Sequence, residues 1–259
     1  MERLARKDEK RNGITRNGLR LWGIVLMALG AVGQGIIQHR LLGLGSVTSD
    51  QLLEAMIADE SVMVLSTLAL VMQVAEVCAV PIFCLLLAEG FEHTKDPMKY
   101  LLRVLGVAAV SEIPYNLALS GTWVDLSSRN PVFGLVFALI LLLLYQRFEG
   151  KSMTKRLIRV VMTVAGLLWC VMLGIRDGFC IVALVVVFWL CRNKKQMRTY
   201  IGCGAAACCS LLNYFFLAAP MGFLPIYFYR GERGEENKLV NYLAYPALLT
   251  AVAMAGSFL

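Results

Sequence analysis

Charge is scarce in this chain of 259 residues: Asp, Glu, Lys and Arg make up 17% of it, against 58% hydrophobic residues. A soluble domain carries about a quarter charged residues, and a mean hydropathy of +0.67 leaves more apolar surface than one core can hide. Histidine is scarcer still. His39 and His93 stand far apart, with no cysteine at ligand spacing, and no CxxC occurs among the eight cysteines. Cys78, Cys84, Cys170, Cys180, Cys191, Cys203, Cys208 and Cys209 all lie in or at the ends of apolar stretches. That placement predicts buried, reduced thiols and argues against both a metal centre and a disulfide framework. A soluble enzyme, a disordered tail and a secreted disulfide scaffold are thereby excluded.

What the chain has instead is long apolar runs. A membrane-spanning helix needs about 20 mostly apolar residues. Eight candidates run over 21–38, 63–88, 98–119, 131–145, 157–175, 178–191, 200–219 and 239–258, with a count of seven as the alternative because the fourth and sixth are short. The fold class is an all-α polytopic membrane protein. A basic tail, residues 1–20, precedes a single helical domain, 21–259. The tail resembles the n-region of a signal peptide, yet the seven spans that follow predict an uncleaved first helix.

The net charge of +7 is concentrated in a few segments. Nineteen of the 25 Lys and Arg fall before the first span and in the second, fourth and sixth loops. The rest are Arg40, Arg129, Arg176, Arg230, Arg233 and Lys238. Because cytoplasmic loops retain positive charge, eight spans with both termini cytoplasmic are expected, and the excess reads as topology rather than affinity for nucleic acid.

Two segments depart from simple spans. Thr48 to Glu60 is predicted as a short outer helix, either a lid over the bundle or a plain connector. Residues 199–229 hold no charge and are too long for one untilted helix, and Pro220 and Pro225 break the run. It is predicted to end in a re-entrant or interfacial piece, tolerated only against protein or a wet cavity. Gly30, Gly33 and Gly35, then Gly202, Gly204 and Ala205 to Ala207, predict close helix contacts. No internal repeat is evident, which leaves a transporter fold without support beyond its intramembrane acids.

An ionisable side chain at membrane depth costs several kcal/mol and marks a candidate site. Glu76 shares a face with Gln73. Glu112 lies in VSEIPYNLAL with Tyr115 and Asn116 one turn on, and Pro114 predicts a kink there. Glu112 is thus a candidate proton acceptor, and Glu76, Tyr115 and Asn116 candidate substrate contacts; a hydrogen bond between helices is the alternative for each acid. Glu89 and His93, four apart, form a candidate carboxylate–imidazole pair. Lys95, Lys99 and Arg103 form a basic cluster suited to phosphates, or to topology alone.

The stretch PIFCLLLAEGFEHTKDPMKYLLRVLGVAAVSEIPYNLAL, 81–119, resembles the TraX family: EGFEHT at 89–94, KYLLR at 99–103 and SEIPY at 111–115 carry the likeness. RNPVFGL at 129–135, YRGERG at 229–234 and Tyr245–Pro246 extend it, adding Arg129, Asn130 and Arg233 as substrate-binding candidates. The resemblance implies a multi-pass protein of the bacterial inner membrane, with a fold like the wider membrane acyltransferases. It implies acetyl-CoA as donor, bound by Lys95, Lys99 and Arg103, no metal, and a pilin-like peptide or envelope acceptor reached through Glu112, with His93 and Glu89 as further catalytic candidates. Where the family reads IDHIG this chain has LGAVG at 29–33, and where the family reads YPLHL it has YPALL at 245–249, so two His positions are lost. A divergent acyltransferase and a non-catalytic component that holds a pilus or envelope partner are the two readings, with a proton-coupled transporter behind them.

Overall fold

The computed structural model describes residues 13–43, 49–150, 152–232 and 238–258, and everything regular among them is helical. Helix α1 (Arg16–Ala31) starts at Thr15, whose hydroxyl accepts the Gly18 amide, and runs on as a wide π-helical segment to Leu41. A short outer helix, α2 (Ser49–Ala58), is followed by α3 (Glu60–Val77), α4 (Ala79–His93), α5 (Pro97–Leu119), α6 (Val132–Arg147), α7 (Met153–Met172), α8 (Gly178–Leu190) and α9 (Lys195–Cys208). Two 3-10 pieces, Cys209–Leu211 and Tyr214–Gly222, lead into α10 (Phe223–Tyr227), and α11 (Lys238–Ser257) ends the bundle. Three helical stretches are long and apolar enough to cross a membrane: Arg16–Leu41, Glu60–His93 and Pro97–Leu119. Shorter apolar helices run beside them.

At the centre stands α8, GFCIVALVVVFWL, apolar around its whole circumference as a fully surrounded helix must be. Cys180, Ile181, Val182, Leu184 and Val185 are all buried against α4, α6, α7 and α9. A second, smaller core forms where α1, α5 and α11 meet, from Ala31, Tyr115, Ala118, Leu249 and Val252. Apolar side chains elsewhere point outward, among them Val160, Val161, Val164 and Leu168 along α7, the pattern of a lipid-facing wall.

Close approach is made by glycine, since lipid supplies no hydrophobic drive between helices. A Cβ on Gly35 would meet the Ala118 carbonyl at 2.7 Å and one on Gly33 the Ala69 carbonyl at 3.0 Å, which locks α1 onto α3 and α5. Gly202 packs likewise on Phe188 and Phe223. Gly204 faces open space, contrary to the expectation that it packs a helix.

The chain breaks between α3 and α4 at Cys78. Pro81 has no amide to give Val77, so the ladder is interrupted there. Gly222 seats in that gap, a Cβ on it falling 2.1 Å from the Cys78 carbonyl, and Cys78 Sγ bonds the Ala218 carbonyl at 3.3 Å. Pro114, expected to kink α5, lies inside a helix that runs unbroken from Pro97 to Leu119.

The segment after α9 overturns part of the expected topology. At its far end Asn213 Nδ2 donates to Asp177 at 2.9 Å, beside the start of α8. At its near end Tyr229 is back beside Ile14, through an isolated parallel bridge, and Arg16 donates its amide to the Glu232 carbonyl at 2.9 Å. Residues 195–227 therefore form a full hairpin rather than one helix with a dipping end. The tight rise of the 3-10 piece, about 2 Å per residue, gives the short return its reach. Consequently α11 starts on the face that carries Arg16 and ends beside Arg40, where a Cβ on Gly256 would lie 3.1 Å from that side chain. The two ends of the bundle lie on opposite faces, not on one. Arg230 and the start of α11 move to the basic face, leaving Arg40, Arg129 and Arg176 opposite among the described residues.

Candidate functional site

Two loops dip into the bundle from the face opposite the basic one. Helix α8 has 13 residues, a length of about 20 Å where the bilayer core is about 30 Å, too short for both of its ends to reach the bilayer surfaces. Non-helical backbone at membrane depth must be paired within the protein. Here the Arg129 amide donates to the Gly174 carbonyl at 2.8 Å and the Arg176 amide returns the bond to Arg129 at 3.0 Å. Asp177 follows in the left-handed region at φ 54°, a strained setting for a residue with a Cβ. Its carboxylate is fixed by Asn213.

The arrangement turns Arg176 inward. Nη2 lies 3.4 Å from Glu76 Oε2, Nη1 donates to Gln34, and the Tyr115 hydroxyl is close by. Gly30 makes the room: a Cβ there would fall 2.3 Å from that of Glu76. Gln73, on the next turn of α3, donates instead to Gln38 at 2.7 Å.

Glu76, Arg176 and Asp177 form the inner end of a cavity of about 470 Å³. Its wall is apolar along Ile24, Met27, Phe83, Leu87, Val104 and Val107. Its other end, on the basic face, carries Arg16, Arg20, His93, Lys95 and Arg103, with Tyr100 and Tyr242 beside them. One continuous space thus joins a cationic mouth to a half-buried acid–guanidinium pair. Glu76 and His93 are 17 positions apart along nearly continuous helix, roughly 25 Å.

The residues singled out in the sequence divide into three groups. Glu76, His93, Lys95 and Arg103 line the cavity. Lys99 does not; it is exposed and paired with Asp96 at 3.0 Å. Asp96 caps α5 by accepting the Lys99 amide, and that bond holds its carboxyl below the ordinary aspartate range. Glu89 and His93 share a face, but their side chains do not pair. His93 Nδ1 meets the Glu89 backbone carbonyl at 2.8 Å, which leaves Nε2 as the ring's basic atom in the neutral form. The Glu89 carboxylate instead takes Arg198 at 2.9 Å and the Tyr229 hydroxyl at 2.7 Å, and Lys195 Nζ caps the Tyr229 carbonyl. It ties the hairpin's return to α4.

Glu112, Asn116, Arg129 and Asn130 surround the dipping loops rather than the cavity itself. Glu112 accepts the Asn130 amide at 3.3 Å, and Asn116 donates to the Trp123 carbonyl at 3.4 Å. Tyr115 bonds Ser128 at 3.3 Å. Arg233 lies outside the described residues. Helix α2 packs on α3 and contributes nothing to the cavity, as a connector would.

Arg16, Arg20, Tyr100, Arg176, Asp177, Tyr242 and Tyr245 are polar cavity residues that the sequence did not single out as site candidates. Arg176 had a signal: it is one of few basic residues on the face opposite the basic one.

No curated protein and no solved structure matches this chain. A family model, described as TraX protein, matches residues 51–255. That stretch takes in α3 to α10, both dipping loops and nearly all of α11, and the chain belongs to the TraX family.

Proposed function

We propose that this protein is a membrane acetyltransferase that draws acetyl-CoA from the cytoplasm into its cavity and transfers the acetyl group to a peptide amine or another envelope acceptor. The observation behind the reading is a continuous cavity with a cationic mouth at one end and Glu76–Arg176 at the other. Membership of the TraX family supports it, as a membrane protein connected with conjugation.

Arg16, Arg20, Lys95 and Arg103 supply positive charge for the donor's phosphates. The apolar wall between them and Glu76 suits a slender, largely uncharged arm. At the inner end Arg176 stands where a guanidinium would stabilise the oxyanion formed when the acceptor adds to the thioester carbonyl. Glu76 takes the proton from the attacking nitrogen or oxygen. As the tetrahedral species collapses, the new C–N or C–O bond is kept, the C–S bond breaks and Glu76 returns the proton to the leaving thiolate. Gly30 fits this scheme. It stands where the family resemblance places an aspartate, and the space a side chain would fill is taken by Glu76.

The test is release of CoA thiol by the protein in nanodiscs, with a short peptide bearing a free α-amine as acceptor. Glu76→Gln is expected to lower turnover by about 10²-fold or more while donor affinity stays unchanged. Full turnover in Glu76→Gln would remove that residue from the chemistry. No turnover in the parent protein would favour a partner-holding role instead.

A further inference from the structure

Tyr245 is the hydroxyl of the cavity's inner end, lining it beside Glu76 and Arg176. It reaches that end from the second turn of α11. Its proton is already committed: the hydroxyl donates to Asn130 Oδ1 at 3.1 Å. The direction is unambiguous, because Asn130 Oδ1 also accepts the Val132 amide at 2.9 Å and so is the carbonyl oxygen, not the amide nitrogen. Asn130 is fully buried, and its Nδ2 has no partner. A buried donor left unmet is costly, so the fold bears that cost for the oxygen on the other side of the amide. Asn130 is further held through its backbone, whose amide Glu112 accepts. A Tyr whose proton is taken by the wall behind it offers a bound molecule its lone pairs only.

We infer that Tyr245 is a substrate-binding residue that accepts a hydrogen bond from the acyl acceptor, and that Asn130 is its positioning residue, acting through it. The inference rests on the transferase reading above. It divides the labour at the inner end by chemistry. Arg176, a donor with no acceptor capacity, suits the thioester oxygen. Tyr245, offering only acceptance, suits an N–H or O–H of the incoming acceptor and gives nothing to the carbonyl of the donor. Loss of the Tyr245 hydroxyl must therefore act on the acceptor's KM and spare the binding of acetyl-CoA.

The experiment is a double-variant cycle on the protein in nanodiscs, with acetyl-CoA and a short peptide bearing a free α-amine. Tyr245→Phe is expected to raise the peptide KM about three- to tenfold, the usual reach of one neutral hydrogen bond, with the acetyl-CoA dissociation constant unchanged. Asn130→Ala should raise the peptide KM similarly, and the double variant should be no worse than Tyr245→Phe alone. An unchanged peptide KM in Tyr245→Phe overturns the binding role, and multiplied effects in the double variant overturn the positioning role of Asn130. Should Asn130→Ala fail to fold, having also lost its bond to Val132, Asn130→Asp keeps the accepting oxygen and must leave the peptide KM near the parent value; a rise equal to that of Tyr245→Phe overturns the positioning role. Parent protein without peptide turnover overturns this inference together with the transferase reading, whereas parent turnover with Tyr245→Phe unaffected overturns this inference alone.

Discussion

At the scale of single residues, the site is built by what stands next to each acid. Glu76 and Glu89 are both carboxylates in largely apolar helices, and the neighbours that spacing offers, Gln73 for one and His93 for the other, are not the groups their carboxylates meet. Those come from far along the chain: Arg176 reaches Glu76 from a dipping loop 100 residues away, and Arg198 and Tyr229 reach Glu89 from the hairpin. Long-range pairing of this kind leaves no local pattern, which is why Glu76 was legible as a candidate and its partner was not. The mouth was legible for the opposite reason, since Lys95 and Arg103 lie close together in the chain. The different settings predict different losses. Glu89→Ala removes one partner of a nearly buried pair and should destabilise the fold by about 3 kcal/mol, seen as a lower melting temperature with acetyl-CoA affinity intact in the folded fraction. Gly30→Ala places a methyl on Glu76 and should cost about 1–3 kcal/mol by overpacking. Because it pushes the carboxylate from Arg176, turnover should fall further than stability alone explains, as assays below the melting transition would show.

At the scale of elements, most helices follow directly from apolar run length, and the departures share one cause. Where an apolar stretch is too short or too long for a bilayer, its ends are settled by neighbours, not by its own sequence. The short α8 lets residues 173–177 sink and pair with the loop before α6. The long uncharged stretch folds back as a hairpin because Gly222 finds the break that Pro81 makes between α3 and α4. Pro220 and Pro225 announced an irregularity but not its partner, which lies more than 130 residues earlier in the chain. Gly222→Ala tests that seat. With its Cβ 2.1 Å from backbone that cannot swing away, the variant should lose at least the 1–3 kcal/mol typical of overpacking, and limited proteolysis should cut the hairpin first. Equal stability would mean that the hairpin does not lean on the helix break.

At the scale of the whole molecule, the hairpin changes the topology, because one extra traverse sends α11 the other way. Basic residues read the same in either arrangement until Arg230 is placed, so charge alone could not decide between them. A thiol-reactive, membrane-impermeant reagent should label single cysteines added at the two termini of a cysteine-free variant from opposite sides of the membrane. Labelling from one side would restore the even count of spans. The same architecture gives the cavity its polarity, with a cationic mouth on the basic face and the Glu76–Arg176 pair where the dipping loops meet it. The measurement that bears most directly on this account is calorimetric titration of acetyl-CoA into the protein in lipid nanodiscs, beside Arg103→Ala. Saturable binding in the parent, weakened about tenfold or more when the mouth loses one of its charge-assisted contacts, is the predicted result. Absence of binding in the folded parent protein would contradict it.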